Sequence, residues 1–186
     1  MPRRRVFAVN ALFAPVLALA ATAPQTPPDV FVDEGACPFE CCTYGTWTTR
    51  APVRAYAADN ADAAVIATIR EGTVVQAVTG HVRTRGEPFV VTRAEGDYRP
   101  GERIVVYNYL GEGVFRTWRD GRWEEADLGF SVYGGTGGTR CEASHCFGHL
   151  ERELVSKWWV QVRLPDGRHA WVDGHAGFEG QDACGG

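Results

Sequence analysis

Two thiols and two imidazoles crowd the segment Cys141-x3-His145-Cys146-x2-His149, and these are ligand types that bind zinc. Their spacing works against a metal. His145 and Cys146 are sequence neighbours that would have to converge on one ion, and oxidation competes for both thiols. A local Cys141–Cys146 bridge flanked by solvated histidines is the reading these residues favour. Nucleophilic catalysis fares no better. A reactive cysteine needs a setting that lowers its pKa, such as a helix N-terminus with a histidine beside it. Cys37, Cys41 and Cys42 instead crowd into CPFECC around Pro38, with no helical pattern following. The chain contains no G-x-S-x-G elbow and no H-E-x-x-H run. The acidic pairs Glu124-Glu125 and Glu151/Glu153 are near neighbours on expected turns or a short helix, not carboxylates set across a cleft. These residues lead to no catalytic group, no metal site and no cofactor.

Disulfides are the chemistry that remains for the cysteines. The chain opens with a basic Met1-Pro2-Arg3-Arg4-Arg5, continues with a mostly apolar run from Val6 to Leu19, and offers Ala18-Leu19-Ala20 as a small-residue cleavage site. Residues 1–20 therefore read as a signal peptide, with the protein expected to be periplasmic or secreted and not membrane-spanning, since no later segment is long and apolar enough to cross a bilayer. Cys37, Cys41, Cys42, Cys141, Cys146 and Cys184 all follow it, and an even number of cysteines in an oxidising compartment argues for bridges. A vicinal Cys41–Cys42 bridge is strained. Local Cys37–Cys42 and Cys141–Cys146 loops would leave Cys41 to meet Cys184 and tie the chain ends together.

Charge narrows the partners. The full chain has 19 basic and 23 acidic residues; without Arg3, Arg4 and Arg5 the balance is 16 against 23, a net charge of −7. Such a chain lacks the broad positive field that binds nucleic acid or anionic membranes.

The elements that must position any site are strands. Trp158 to Val172, WWVQVRLPDGRHAWV, alternates Val160, Val162 and Leu164 with Gln161 and Arg163, turns at Pro165-Asp166-Gly167, and restarts at His169, as a β-hairpin does. Thr46–Thr49, Val65–Ile69, Thr73–Val78, Phe89–Val91, Arg103–Leu110 and Gly113–Trp118 are β-branched or aromatic runs bounded by glycine turns. Helical turns are expected only at Glu151–Ser156 and Ala58–Ala64. Residues 21–35, with Pro24, Pro27 and Pro28, read as a flexible leader, and residues 36–186 as the folded part. Gly134 to Gly138 reads as a mobile loop.

Two separated segments together resemble the bacterial SH3-like domain family. Val53-Arg54 followed by Val65–Val75 is similar to the family's opening strand, variable loop and strand–glycine–strand turn. Trp159, Val162, Asp166-Gly167 and Trp171-Val172 are similar to its tryptophan–strand–turn–tryptophan ending. The resemblance implies an all-β, SH3-like antiparallel barrel, stabilised here by disulfides and carrying a β-rich insertion at about 80–156. That insertion is either half of a second such unit or an extension of the first barrel's strands. It also implies that Trp159 and Trp171 are both buried. Family members that bind ligands use aromatic-lined grooves, which nominates Tyr107, Tyr109, Trp118, Trp123 and Trp158 as binding residues. The function expected by this analogy is that of a non-catalytic envelope module binding cell-wall (peptidoglycan) peptide or an envelope protein. The alternative is a secreted inhibitor that engages a partner protein through the loop at 134–147.

Overall fold

The computed structural model describes residues 26–133 and 146–184. In chain order the strands are β1 (Val30–Glu34), β2 (Gly45–Thr49), β3 (Val53–Tyr56), β4 (Val65–Ile69), β5 (Val74–Arg85), β6 (Glu87–Val91), β7 (Arg103–Gly111), β8 (Val114–Arg119), β9 (Arg122–Asp127), β10 (Gly148–Leu150), β11 (Ser156–Arg163), β12 (His169–Asp173) and β13 (Phe178–Glu179). One five-residue helix, α1 (Gly129–Tyr133), interrupts them. The described chain is thus all-β in character, and every strand pair in it is antiparallel.

Strand β5 organises the first, curled sheet, whose order is β13-β2-β5-β11-β12-β3-β4. One edge of β5 is shared in series: β2 pairs with its first residues, Thr48 opposite Val74, and β1 with its last, Val30 opposite Arg85. The other edge carries β11 along nearly the whole length, with a bulge at Gln161/Val162. The bulge shifts the inward phase of β5 by one residue, from Val75 and Ala77 before it to Val82 and Thr84 after it. The core behind this sheet gathers Trp47, Val53, Val75, Trp158, Val160, Val162, Val172 and Phe178. Trp158 fills its centre with backbone pressed on both sides. A Cβ added at Gly174 would fall 2.3 Å from the Trp158 ring, and one at Gly80 would fall 2.6 Å from its Nε1.

The described residues between Glu87 and Leu150 build a second sheet, ordered β10-β6-β7-β8-β9, around a separate cluster of Phe89, Val91, Ile104, Val106, Phe115, Ala126, Leu128 and Phe147. The chain passes from β5 into β6 through Gly86, where a Cβ would lie 2.6 Å from the Tyr107 ring, so only a residue without a side chain fits without displacing it. A polar chain spans this junction. Buried Thr84 donates to Asn108 Oδ1 and shares a 2.8 Å hydrogen bond with Ser156, and Asn108 Nδ2 donates to Asp33 at 3.2 Å. Beside it the Tyr107 hydroxyl donates to the Pro28 carbonyl at 2.5 Å, and burial pushes its pKa up to about 12, so it remains a donor at ordinary pH.

Several expectations change. Val30–Glu34, within the leader, is a strand, because its V-F-V alternation finds a partner in the end of β5. Ala58–Ala64 forms bends and a turn, Glu151–Ser156 runs from a bend through irregular chain into the first residue of β11, and among the described residues the one helix is Gly129–Tyr133. Cys37 pairs with Cys42, and Cys41 with Cys184 across 143 residues of sequence, so the chain ends are clamped. Cys146 is also disulfide-bonded, whereas Cys141, His145 and most of the 134–147 loop lie outside the described residues. Among the described residues no helix is long and apolar enough to cross a membrane.

Candidate functional site: a cationic groove over Tyr56 and Trp159

Alternation along β5, β11 and β12 determines what the first sheet shows on the face away from its core. Residues directly opposite each other on paired strands share a face. Trp159 lies between His81 and Asp173, Lys157 lies opposite Arg83, and Trp171 lies opposite both Gln161 and Tyr56. The face therefore carries aromatic rings in one zone and cations in the next. Trp159 is 5% exposed and meets Tyr56 edge to face at 5.4 Å. Trp171 departs from expectation: it is only half-buried. Ala170 and Val172 take the two inward positions of β12, which leaves Trp171 on the outer face, where its ring lies 4.6 Å from His81.

A groove of about 560 Å³ opens beside the Trp159–Tyr56 pair. Its position follows from the strand pairing. β12 meets β3 through one register pair, Trp171 with Tyr56, and past it the cleft opens between Pro52–Arg54 on one side and Asp173 and Ala176 on the other. The far wall is the junction end of the sheet, where Val30, Arg85, Val155 and Lys157 converge. Val30 and Val155 are exposed apolar shelves there.

Four cations line this groove against one carboxylate. Two of the four are already matched. Lys157 Nζ donates to Asp173 at 3.2 Å, and Arg83 Nη1 donates to Asp59 at 3.0 Å. Asp59 also takes a 3.0 Å contact from His81 Nδ1, so the β3–β4 loop is tied down onto β5. Partial burial pushes the Asp59 carboxyl up, but the hydrogen bonds from His81 and Arg83 outweigh it and hold the group below the usual carboxylate value. Arg54 and Arg85 are exposed, and among the described residues neither has a carboxylate at ion-pair distance; Arg54 sits 5.9 Å from the Tyr56 ring centre. An acidic chain thus keeps two unneutralised guanidinium groups beside an aromatic floor. That arrangement can hold an anion with an apolar neighbour. Its lining includes no serine, cysteine or histidine, and His81 has no hydroxyl or thiol partner among the described residues.

The aromatic residues nominated from sequence lie elsewhere. Trp158 is 2% exposed at the centre of the first core. Tyr107 and Trp118 are buried on the second sheet, where Trp123 packs edge to face on both at 5.0 and 5.1 Å and Phe31 of β1 covers the group. Trp123 at 37% and Tyr109 at 44% are exposed, but Tyr109 leans on Phe115. Trp158, Tyr107 and Trp118 are thus buried packing residues, Trp123 and Tyr109 keep exposed ring surface, and none of the five lines the groove over Tyr56 and Trp159. The groove residues carried a signal that aromatic content alone passes over: Arg83 and Arg85 stand at two-residue spacing, which places two guanidinium groups in a row on one face of a strand.

Two further clusters carry no site chemistry. Cys41, Asp182 and Cys184 lie close enough to hold a metal, but the two sulfurs are joined to each other in one disulfide. Cys146 is likewise oxidised, which removes a thiolate from the Cys141–His149 ligand set. Comparison with protein-family models, with curated proteins and with solved structures finds no match for this chain.

Proposed function

We propose that the protein is an exported, non-catalytic binding module of the bacterial envelope, built on an SH3-like barrel, whose cationic groove holds an anionic ligand of the cell wall or of an envelope protein. The observation that carries this reading is the pair of uncompensated arginines, Arg54 and Arg85, beside the buried Tyr56–Trp159 floor of a chain with net charge −4. Exposed arginines are hydrated and cost little when unpaired; what sets Arg54 and Arg85 apart is that they stand together in a concave site beside an aromatic pair, where an anion can take donors from both. The basic, then apolar N-terminus and the disulfides suit the oxidising compartment where such a ligand is met.

Co-sedimentation tests the reading. The mature protein should pellet with purified envelope fragments at low salt and be released as ionic strength rises, and Arg54→Ala/Arg85→Ala should stay in the supernatant while keeping the wild-type unfolding midpoint. Wild-type protein that never pellets, or a double variant that pellets equally well, would overturn it.

A further inference from the structure

The groove's lining is specific enough to narrow the occupant. Its wall alternates charge with apolar surface: Arg54 follows Pro52 and Val53, and Arg85 sits with Val30 opposite it and Val155 beside it. A phosphate-rich polymer would use the guanidinium groups and leave Val30 and Val155 in water. A neutral saccharide would use the rings and leave the arginines unpaired. A chain that carries carboxylates and aliphatic side chains in alternation satisfies both. Arg83 and Arg85 are two residues apart on one face of β5, a repeat of about 6–7 Å that is also the repeat of same-face side chains in an extended peptide, so a carboxylate on Arg85 brings the next one beside Arg83, where it competes with Asp59. We infer that the occupant is an extended acidic segment of a partner protein, with carboxylates on Arg54 and Arg85 and an apolar side chain on the Tyr56–Trp159 floor.

This inference rests on the groove being the ligand site proposed above, and it adds a consequence of opposite sign. Asp173 is the groove's own carboxylate and occupies Lys157 at 3.2 Å. A ligand carboxylate competes with it. Removing Asp173 should therefore tighten binding of an acidic peptide, an outcome that damage to the fold does not produce.

The test uses the mature protein and two blocked peptides, acetyl-Glu-Val-Glu-Val-Glu-amide and its glutamine counterpart acetyl-Gln-Val-Gln-Val-Gln-amide, with binding read by titration calorimetry and by tryptophan fluorescence. The glutamate peptide should bind, and the glutamine peptide should bind about tenfold or more weakly. Arg54→Gln and Arg85→Gln should each weaken the glutamate peptide about tenfold, and Asp173→Asn should tighten it severalfold. Equal affinity for the two peptides, or no gain with Asp173→Asn, would overturn the acidic-segment assignment. A second arm separates this failure from that of the proposed function. Envelope fragments stripped of protein by protease should no longer retain the chain. Undiminished retention on stripped wall, with no peptide binding, would overturn the protein-segment inference and leave the envelope module standing. Peptide binding without retention on any envelope fraction would do the reverse.

Discussion

The two sheets are built from the same antiparallel pairing but treat their charges in opposite ways. On the strands of the second sheet the arginines are answered from within. Arg119 donates to Glu102 at 2.6 Å and Asp97 at 2.9 Å and lies 4.4 Å over the Tyr98 ring, Arg116 meets Glu125 at 3.0 Å, and Arg103 meets Glu151 at 2.6 Å. In the first sheet Arg54 and Arg85 stand in a groove with no carboxylate of their own. Surface pairs of this kind add little stability, so the difference concerns availability. The strands of the second sheet pair their arginines with neighbouring carboxylates, whereas the first leaves Arg54 and Arg85 open in the groove where the proposed ligand would sit. The sheets also differ in how they are held. Both disulfides with two described ends fasten the first sheet's flank, while the second relies on its core cluster and on the polar junction through Thr84 and Asn108.

The largest effect should come from the clamp. Replacing Cys41 and Cys184 together with alanine opens a loop of 143 residues, which in the chain-entropy model costs about 4–5 kcal/mol. Amide exchange read by mass spectrometry should show β2, β5 and β13 losing protection first. Equal loss across β7 and β8 would mean that the two sheets unfold as one unit, and the contrast drawn above would not extend to stability.

Phe115→Ala attacks the other side. Phe115 is fully buried in the second cluster, and a large-to-small change there should cost about 3–5 kcal/mol, with exchange rising in β7–β9 and not in β11. Asn108→Ala should follow at about 1–3 kcal/mol, because it leaves the buried Thr84 hydroxyl and the Asp33 carboxylate short of a partner. If the junction couples the sheets, this smaller lesion should raise exchange on both sides of it.

Strands of both sheets differ in how legible the sequence made them, and the reasons are local. Runs such as VIATI and RIVVYNYL are dense enough in β-branched and aromatic residues to be strands in any setting, and both are. β9, RWEEAD, has almost no apolar content and becomes a strand only because β8 offers it an edge. The second half of β5 was hidden by its own bulge, since a one-residue change of phase destroys the alternation that marks a strand. The disulfide clamp was readable because vicinal cysteines restrict the choices. The groove was not, because it needs residues from β3, β5, β11 and the turn after β12, and no periodicity within one segment shows that they meet.

Trp171 sharpens the comparison within the first sheet. Trp158 and Trp171 belong to the same hairpin but face opposite ways. Trp171→Ala, at a half-buried position against His81, should cost about 1 kcal/mol, where a core tryptophan would cost about 3–5. A loss in the upper range would show that the outer face is sealed by further contacts, and would count against an open groove beside it.

The smallest expected effect is the dependence on acid, and it appears in both sheets for a shared reason. Asp59 in the first and Glu102 in the second are each held below the usual carboxylate value. Burial raises both, but hydrogen bonds from His81 and Arg83 in the one case, and from Arg119 and the Arg99 backbone in the other, outweigh it. A carboxyl whose folded pKa is depressed gives its stabilisation in full above its unfolded value and loses it as pH falls through the folded one. Stability should therefore be flat from neutrality to about pH 5 and then fall as the solution is acidified through the ordinary carboxylate range. Carboxyl-detected NMR titration should place both groups below the usual carboxylate values. Asp59→Asn should remove part of the acid dependence from β5 and the β3–β4 loop, and Glu102→Gln should remove it from β7 and β8. The two substitutions differ in what else they do. Asp59→Asn also releases Arg83 into the groove, so it should strengthen binding of the glutamate peptide, whereas Glu102→Gln, on the sheet whose charges are already closed, should leave that binding unchanged. Equal effects of the two on peptide binding would erase the distinction between an electrostatically closed sheet and an open one.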